Sequence, residues 1–247
     1  MKIKVSEYFF SIQGEGMSAG VPCLFIRFPG CNLMCGGHGG KLVEEGKATW
    51  WCDSELLWKQ GKEVGTTEII ESLNGSQKEA LRQGIAHVVF TGGEPCLPDN
   101  TKSAITFLGD HFFDRKGAKI EVETNGTLNS YLLARADQIN CSPKLSNSGM
   151  PREMRIKPGL LREINRRGDR TIVQFKFVVS TPQDIFEAVD LVEELDLGLE
   201  KVVLMPAADS QKELAEKTRL VWEVATKMGV RMCSRLHVLC YGKKVGV

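Results

Sequence analysis

An α/β chain with a parallel sheet is predicted by three features of these 247 residues. Short β-rich runs alternate with amphipathic helical stretches, several of the runs are nearly continuous in hydrophobicity, and four of them end in glycine, proline or compact polar residues. The alternation fits either an open doubly wound sheet or a partial barrel. A composition 42% hydrophobic and 26% charged can fill one large core, and no internal repeat, low-complexity stretch or linker divides it. A single domain over residues 1–247 is the expectation.

In chain order the expected strands are PCLFIRF (22–28), AHVVFTG (86–92), AKIEVETN (118–125), DQINCSP (137–143), TIVQFKFVVS (171–180), KVVLMP (201–206) and RMCSRLHVL (231–239). Two helices between them are well marked. One begins with Thr181 as N-cap and Pro182 at its first position, and spaces Ile185, Ala188, Val189, Val192 and Leu195 along one face. The other runs from about 210 to 228, with Leu214, Thr218, Val221, Trp222 and Ala225 on one side and Gly229 as its stop.

In both architectures ligands gather at the C-terminal ends of parallel strands. Four ends stand out: Thr91-Gly92-Gly93-Glu94-Pro95, Asn125-Gly126, Ser142-Pro143-Lys144 and Met205-Pro206. Such residues let backbone amides and carbonyls approach a ligand closely, although each alone is an ordinary turn.

A formal net charge of +1 gives no general electrostatic reason to bind nucleic acid or an anionic membrane, so a small substrate is expected. MKIKVSEYFFSIQ lacks the apolar core of an export signal, and no run approaches a membrane span. A cytoplasmic protein with reduced thiols is the expectation. Of the eight cysteines, Cys23, Cys96, Cys141, Cys233 and Cys240 stand singly in apolar stretches and read as small hydrophobes. Cys31, Cys35 and Cys52 differ, because they bracket a soft, glycine-rich insert at about 36–49. Three thiolates can hold a [4Fe–4S] cluster with one iron open to a ligand. The rival is zinc, with Cys35, His38 and Cys52 supplying three of four ligands.

GCNLxC followed by CDS, with TGGEP on a later strand end, resembles the radical S-adenosylmethionine (SAM) superfamily. SIQGEG (11–16), GVPCLFIRFPGCNL (20–33) and SPK (142–144) narrow the resemblance to the 7-carboxy-7-deazaguanine synthase, or QueE, family. It runs from about residue 6 to 144, with fainter echoes beyond. The usual CxxxCxxC becomes C-x3-C-x16-C here, and the insert reads as a surface excursion, with a second metal site at His38 as the lesser alternative. Loop-closure cost grows slowly with length, so the longer loop is tolerable if WWCDS returns to the same place, a return that Trp50 and Trp51 could anchor by packing.

The resemblance implies a partial (β/α)6-type radical SAM barrel and a carbon–nitrogen lyase that contracts the ring of 6-carboxy-5,6,7,8-tetrahydropterin, with loss of ammonia, in 7-deazapurine and queuosine biosynthesis. It implies a [4Fe–4S] cluster on Cys31, Cys35 and Cys52, and SAM contacts from Trp51, Asp53, Gly93, Glu123, Asn125, Ser142, Pro143, Lys144, Met205 and Pro206. Mg²⁺ is implied at Ser54, where the family more often has threonine. Substrate contacts are implied for Ile12, Gln13, Gly14, Glu15, Arg27, Thr91 and the terminal Val247. Arg27 interrupts an apolar run, so its charge needs an answering carboxylate, either from the pterin or from an internal acid such as Glu15. A reductant such as a flavodoxin or ferredoxin and a homodimer are implied too. The alternatives left open are another radical enzyme, such as a glycyl-radical activase, and a non-catalytic metal or redox-sensing module.

Overall fold

Alternation of apolar and polar side chains decides the two faces of the main sheet. The computed structural model describes residues 1–52, 54–114, 117–167, 171–242, 244 and 246. Its strands are β1 (Lys2–Val5), β2 (Glu7–Ile12), β3 (Pro22–Phe28), β4 (Lys62–Gly65), β5 (His87–Gly92), β6 (Ile120–Thr124), β7 (Gln138–Cys141), β8 (Ile172–Val179), β9 (Val202–Pro206) and β10 (Arg231–Met232). Its α-helices are α1 (Lys41–Glu44), α2 (Glu55–Trp58), α3 (Thr66–Glu71), α4 (Gly75–Arg82), α5 (Pro98–His111), α6 (Arg152–Arg155), α7 (Pro158–Arg166), α8 (Pro182–Leu195), α9 (Gln211–Met228) and α10 (Leu236–Tyr241). β1 and β4 form a separate antiparallel pair.

The main sheet has the order β10-β9-β8-β7-β6-β5-β3-β2, parallel except for β2 at one edge. Strands β3 and β5 to β10 follow one another without a reversal of direction across the sheet, which excludes the doubly wound alternative and leaves no topological switch point. One face is apolar: Leu24, Ile26 and Phe28 of β3, Val88 and Phe90 of β5, Val122 of β6, Ile139 of β7, and Phe175 and Phe177 of β8 join one buried cluster with residues of α5, α7, α8 and α9. The alternate positions Glu121, Glu123, Gln138, Asn140, Gln174 and Lys176 are polar and mostly buried. The expected near-continuous hydrophobicity therefore fails in β6, β7 and β8, whose second face turns towards ligand space rather than towards helices.

A flat sheet of this order would put its edge strands about 34 Å apart, at about 4.8 Å per strand. Gly16 lies just past the end of β2 at Ile12, within about 14 Å of chain. It nonetheless donates its N–H to Cys233 Sγ beyond β10 at 3.2 Å, and the Leu236 N–H reaches Gly14 O at 3.0 Å. The sheet must curl for both bonds to form, and residues 13–17 bridge the gap between its edges.

Helices α8 and α9 lie where periodicity predicts. Thr181 and Asp184 form a reciprocal capping box at α8, and Gly229 takes the left-handed conformation that ends α9. Trp222 departs from expectation: it is 63% exposed, while Leu214, Val221 and Ala225 are buried. The run 231–239 also departs, because pairing ends at Met232 and the chain turns into α10 across the mouth of the curl. Strands β1, β2 and β4 were not expected. No helix among the described residues is long and apolar enough to cross a membrane.

Candidate functional site

A cavity of about 260 Å³ opens at the C-terminal ends of the parallel strands. Its wall includes Ile12, Gln13, Gly14, Glu15, Arg27, Cys31, Cys35, Trp51, Cys52, Ser54, Thr91, Gly93, Glu123, Asn125, Ser142, Lys144 and Met205. These come from segments far apart in the chain, and the rim inferred from strand ends is one continuous surface. Pro143 and Pro206 are buried and do not line the cavity, because each lies just behind a lining residue. Asp53 and Val247 lie outside the described residues.

The cysteine loop is held at both ends. Gly93 packs so close to the loop that a Cβ there would lie 1.6 Å from Gly30 O, and the Glu94 N–H donates to that same carbonyl at 2.9 Å. At the other end the Cys52 N–H donates to Cys35 O at 3.2 Å, so the chain closes on itself across the insert. The insert runs largely over the surface and is anchored there. Its Gly36 N–H donates to Ser148 O at 2.8 Å, the Thr49 N–H to Asn147 O at 3.0 Å, and the Trp50 indole N–H to Asn147 Oδ1 at 2.9 Å. The turn after β7 thus supplies partners for both ends of the insert, the amide of the buried Gly36 among them.

His38 is 68% exposed and lies 3.6 Å from Glu55 Oε1, beside Lys59. Among the described residues it joins no set of three metal-ligating groups. Glu55 instead accepts from Lys59 and the Trp51 indole N–H, which together with the Gly39 amide outweigh burial and keep its carboxyl below the usual range.

Sulfur spacing bears on what the three cysteines can hold. A tetrahedral zinc ion at about 2.3 Å from each sulfur would bring ligand atoms to within about 4 Å of one another. Among the described residues, Cys31, Cys35 and Cys52 are not such a set, since no three of their ligand atoms fall within the 4.8 Å of a compact site. Three thiol donors on one loop are the donor type of an iron–sulfur cluster. Burial pushes the Cys31 thiol up to about 11 and raises that of Cys35, with Lys144 the cation that opposes this at both. Ionised sulfur here therefore calls for further positive charge, which iron supplies.

Behind the rim, Glu94 is fully buried and ties two strand ends together. It accepts from the Cys96 N–H at 2.9 Å and from Thr124 Oγ1 and the Asn125 N–H at 2.8 Å each. Asn125 is thereby fixed with its amide 2.9 Å from Asn32 Oδ1 and 4.0 Å from Cys31 Sγ.

A second polar group crosses the cavity. Glu15 meets Lys176 Nζ at 2.6 Å and Arg235 Nε at 3.0 Å, with His237 at 3.9 Å. Burial works against its charge, but these three neighbours hold its carboxyl far below the usual range. Glu123 accepts from Thr91 Oγ1 at 2.7 Å and Gln13 Nε2 at 3.3 Å, and lies 3.8 Å from Lys176. Arg27 does not pair with Glu15. Its partner is Glu7 at 2.9 Å, the residue opposite it in the β2–β3 register, and its guanidinium stacks 5.2 Å from the Phe9 ring centre.

Lys176, Arg235, His237 and Asn140 line the cavity but were missed in the sequence. Lys176 carried a usable signal, a lysine inside the apolar run VQFKFVV, by the same reasoning that singled out Arg27. Arg235 and His237 were hidden in a run read as strand.

No family model matches the chain. It is 30% identical over 254 residues to the 7-carboxy-7-deazaguanine synthase of Pyrobaculum aerophilum, with 99% of this chain and 97% of the relative covered. It is 32% identical over 255 residues to the protein of the same description from Halobacterium salinarum, covering 96% and 89%. The crystal structure of QueE from Escherichia coli has a TM-score of 0.63 with this chain, covering 96% of it and 95% of the solved chain at 23% identity, a likeness of fold. With relatives of one description matched at this identity over nearly its whole length and theirs, the chain belongs to the 7-carboxy-7-deazaguanine synthase family of radical SAM enzymes.

Proposed function

We propose that this chain forms 7-carboxy-7-deazaguanine by contracting the ring of 6-carboxy-5,6,7,8-tetrahydropterin with loss of ammonia. The observation that carries the reading is one cavity lined both by the three loop cysteines and by a charged polar group suited to a pterin. Cys31, Cys35 and Cys52 would hold a [4Fe–4S] cluster, which together with SAM would supply the one-electron reductive chemistry that makes a hydrogen-abstracting radical.

The protein's part is binding, orientation and exclusion of water. Trp51, Gly93, Glu123, Asn125, Ser142, Lys144 and Met205 line the space for SAM, and Pro143 and Pro206 shape the rim from behind. Ile12, Gln13, Gly14, Glu15, Arg27 and Thr91 take the substrate. Glu15 stays ionised, and each of its oxygens keeps acceptor capacity beyond its one strong cation partner, which suits the N–H edge of a pterin. Arg27 is braced by Glu7 and Phe9 on the cavity wall and receives the substrate carboxylate. Ser54 offers one hydroxyl oxygen to Mg²⁺, an ion that needs few protein ligands when substrate and water complete its shell. The electron comes from an external donor of the flavodoxin or ferredoxin kind, and the active form is a homodimer.

The test is anaerobic. Reconstituted protein is given SAM, reductant, Mg²⁺ and 6-carboxytetrahydropterin, and products are followed by mass-resolved chromatography. Formation of 7-carboxy-7-deazaguanine without stoichiometric loss of SAM is expected, and Cys52→Ala should abolish SAM cleavage. Cleavage of SAM with no deazapurine overturns the substrate; neither reaction, on protein shown to carry its cluster, overturns the whole reading.

A further inference from the structure

At the other end of the strands, beneath the cavity, lies a set of side chains that the proposed reaction leaves unused. Cys23 near the start of β3 and His87 at the start of β5 are register partners, and Glu121 follows on β6 opposite Val89. One ligand atom from each lies within 4.8 Å of the other two, and all three residues are buried. Among the described residues no other three His, Cys, Asp or Glu side chains are gathered this way, and none of these three lines the cavity.

We propose that Cys23, His87 and Glu121 bind a divalent transition-metal ion, zinc above all, that joins β3, β5 and β6 under the cavity floor. Charge selects the valence. A thiolate and a carboxylate bring two negative charges and a neutral imidazole none, so a dication leaves a buried site neutral, whereas a monovalent or trivalent ion would not. Donor type selects the metal, since sulfur with imidazole nitrogen excludes magnesium and calcium and suits zinc.

The surrounding groups are arranged as metal sites require. Glu121 Oε2 accepts from Asn140 Nδ2 at 2.8 Å and from Gln138 Nε2 at 3.4 Å, which orients the carboxylate and turns Oε1 to His87 Nδ1. Gln138 is anchored in turn on Ser18 Oγ at 2.7 Å. Three protein ligands leave a fourth position for water. Binding expels the Cys23 thiol proton to solvent, and the ion takes the place of the hydrogen bond between His87 Nδ1 and Glu121 Oε1, the proton of that bond moving to His87 Nε2 so that the imidazole stays neutral. The N-terminal end of parallel barrel strands is where structure is held rather than where chemistry occurs, so the ion is a staple.

The experiment keeps the loop cysteines out of the reading. In the full chain carrying Cys31→Ala, Cys35→Ala and Cys52→Ala, cobalt(II) titration should give one bound equivalent with the visible bands of a tetrahedral ion and a near-ultraviolet thiolate-to-cobalt band. Zinc should bleach both. Adding Cys23→Ala should remove the thiolate band, and Asn140→Ala should weaken affinity by about 10- to 100-fold. Absence of cobalt on the folded chain, or binding unchanged by Cys23→Ala, overturns the proposal. If the cysteine-free loop prevents folding, zinc content of the cluster-loaded wild-type protein decides: one zinc per chain, lost in Cys23→Ser, supports the site, and no zinc overturns it.

Discussion

Arg27 and Lys176 are cations set inside apolar strands, and their partners determine what each can do. Arg27 is answered locally, by the residue facing it across a hairpin, and both members of that pair are partly open to solvent. Lys176 is answered from far along the chain, and both it and Glu15 are buried. Burial lowers the Lys176 pKa and raises that of Glu15, but their mutual attraction, with Arg235, His237 and Glu123, reverses both shifts. A depressed carboxyl pKa contributes stability above about pH 4.3 that is lost as pH falls towards the folded value; a raised lysine pKa contributes below about pH 10.4 and is lost above it. The pair's contribution to stability is therefore full from about pH 5 to 10, and in the folded state the pair stays ionised beyond both ends of that window. Urea-unfolding free energies measured against pH should fall less steeply below about pH 4.3 in Glu15→Gln than in the parent. At neutral pH Lys176→Met should cost up to about 3 kcal/mol, with Arg235 still opposing the Glu15 charge.

Among the elements, the cysteine loop depends on its return more than on its length. Gly36 has φ of +79°, and a Cβ there would lie 2.6 Å from Trp51 Cα and 2.7 Å from Trp50 O. Gly36→Val should thus push the Trp50–Cys52 segment away from Cys35 while leaving the barrel folded. The expected result is unchanged far-ultraviolet circular dichroism with a large fall in iron and sulfide taken up on reconstitution; full uptake would show that the loop tolerates the displacement. Helix α8 offers a contrasting local test. Thr181 Oγ1 accepts from the Asp184 N–H at 3.3 Å, while Asp184 Oδ2 accepts from the Thr181 N–H at 2.9 Å. Thr181→Ala should lower stability by about 1 kcal/mol, read as a lower midpoint in thermal unfolding, with no change in iron uptake.

Across the whole molecule, the curl of the sheet brings its two edges together and makes one cavity from them. Arg235 stands at that closure, joined to Glu15 and to Ala208 O at 2.8 Å. Removing a charge-assisted hydrogen bond of this kind costs about 1.5–3 kcal/mol, so Arg235→Ala should raise the KM for the pterin by roughly tenfold to a hundredfold. SAM affinity should not change, and a steady-state comparison of the two ligands checks this. The strand runs of β3 and β5 to β9, the Thr181 N-cap of α8, the glycine stop of α9 and the rim motifs were legible in the sequence by itself, as was the family resemblance, because each is carried by residues within a few positions of one another. What only the tertiary structure decided joins distant residues: the Glu15–Lys176 pair across 161 positions, the Glu15–Arg235 contact across 220, the docking of the insert on the turn after β7, and the meeting of Cys23, His87 and Glu121. No periodicity records such meetings, because they depend on how far the sheet curls and which polar side chains it turns inward.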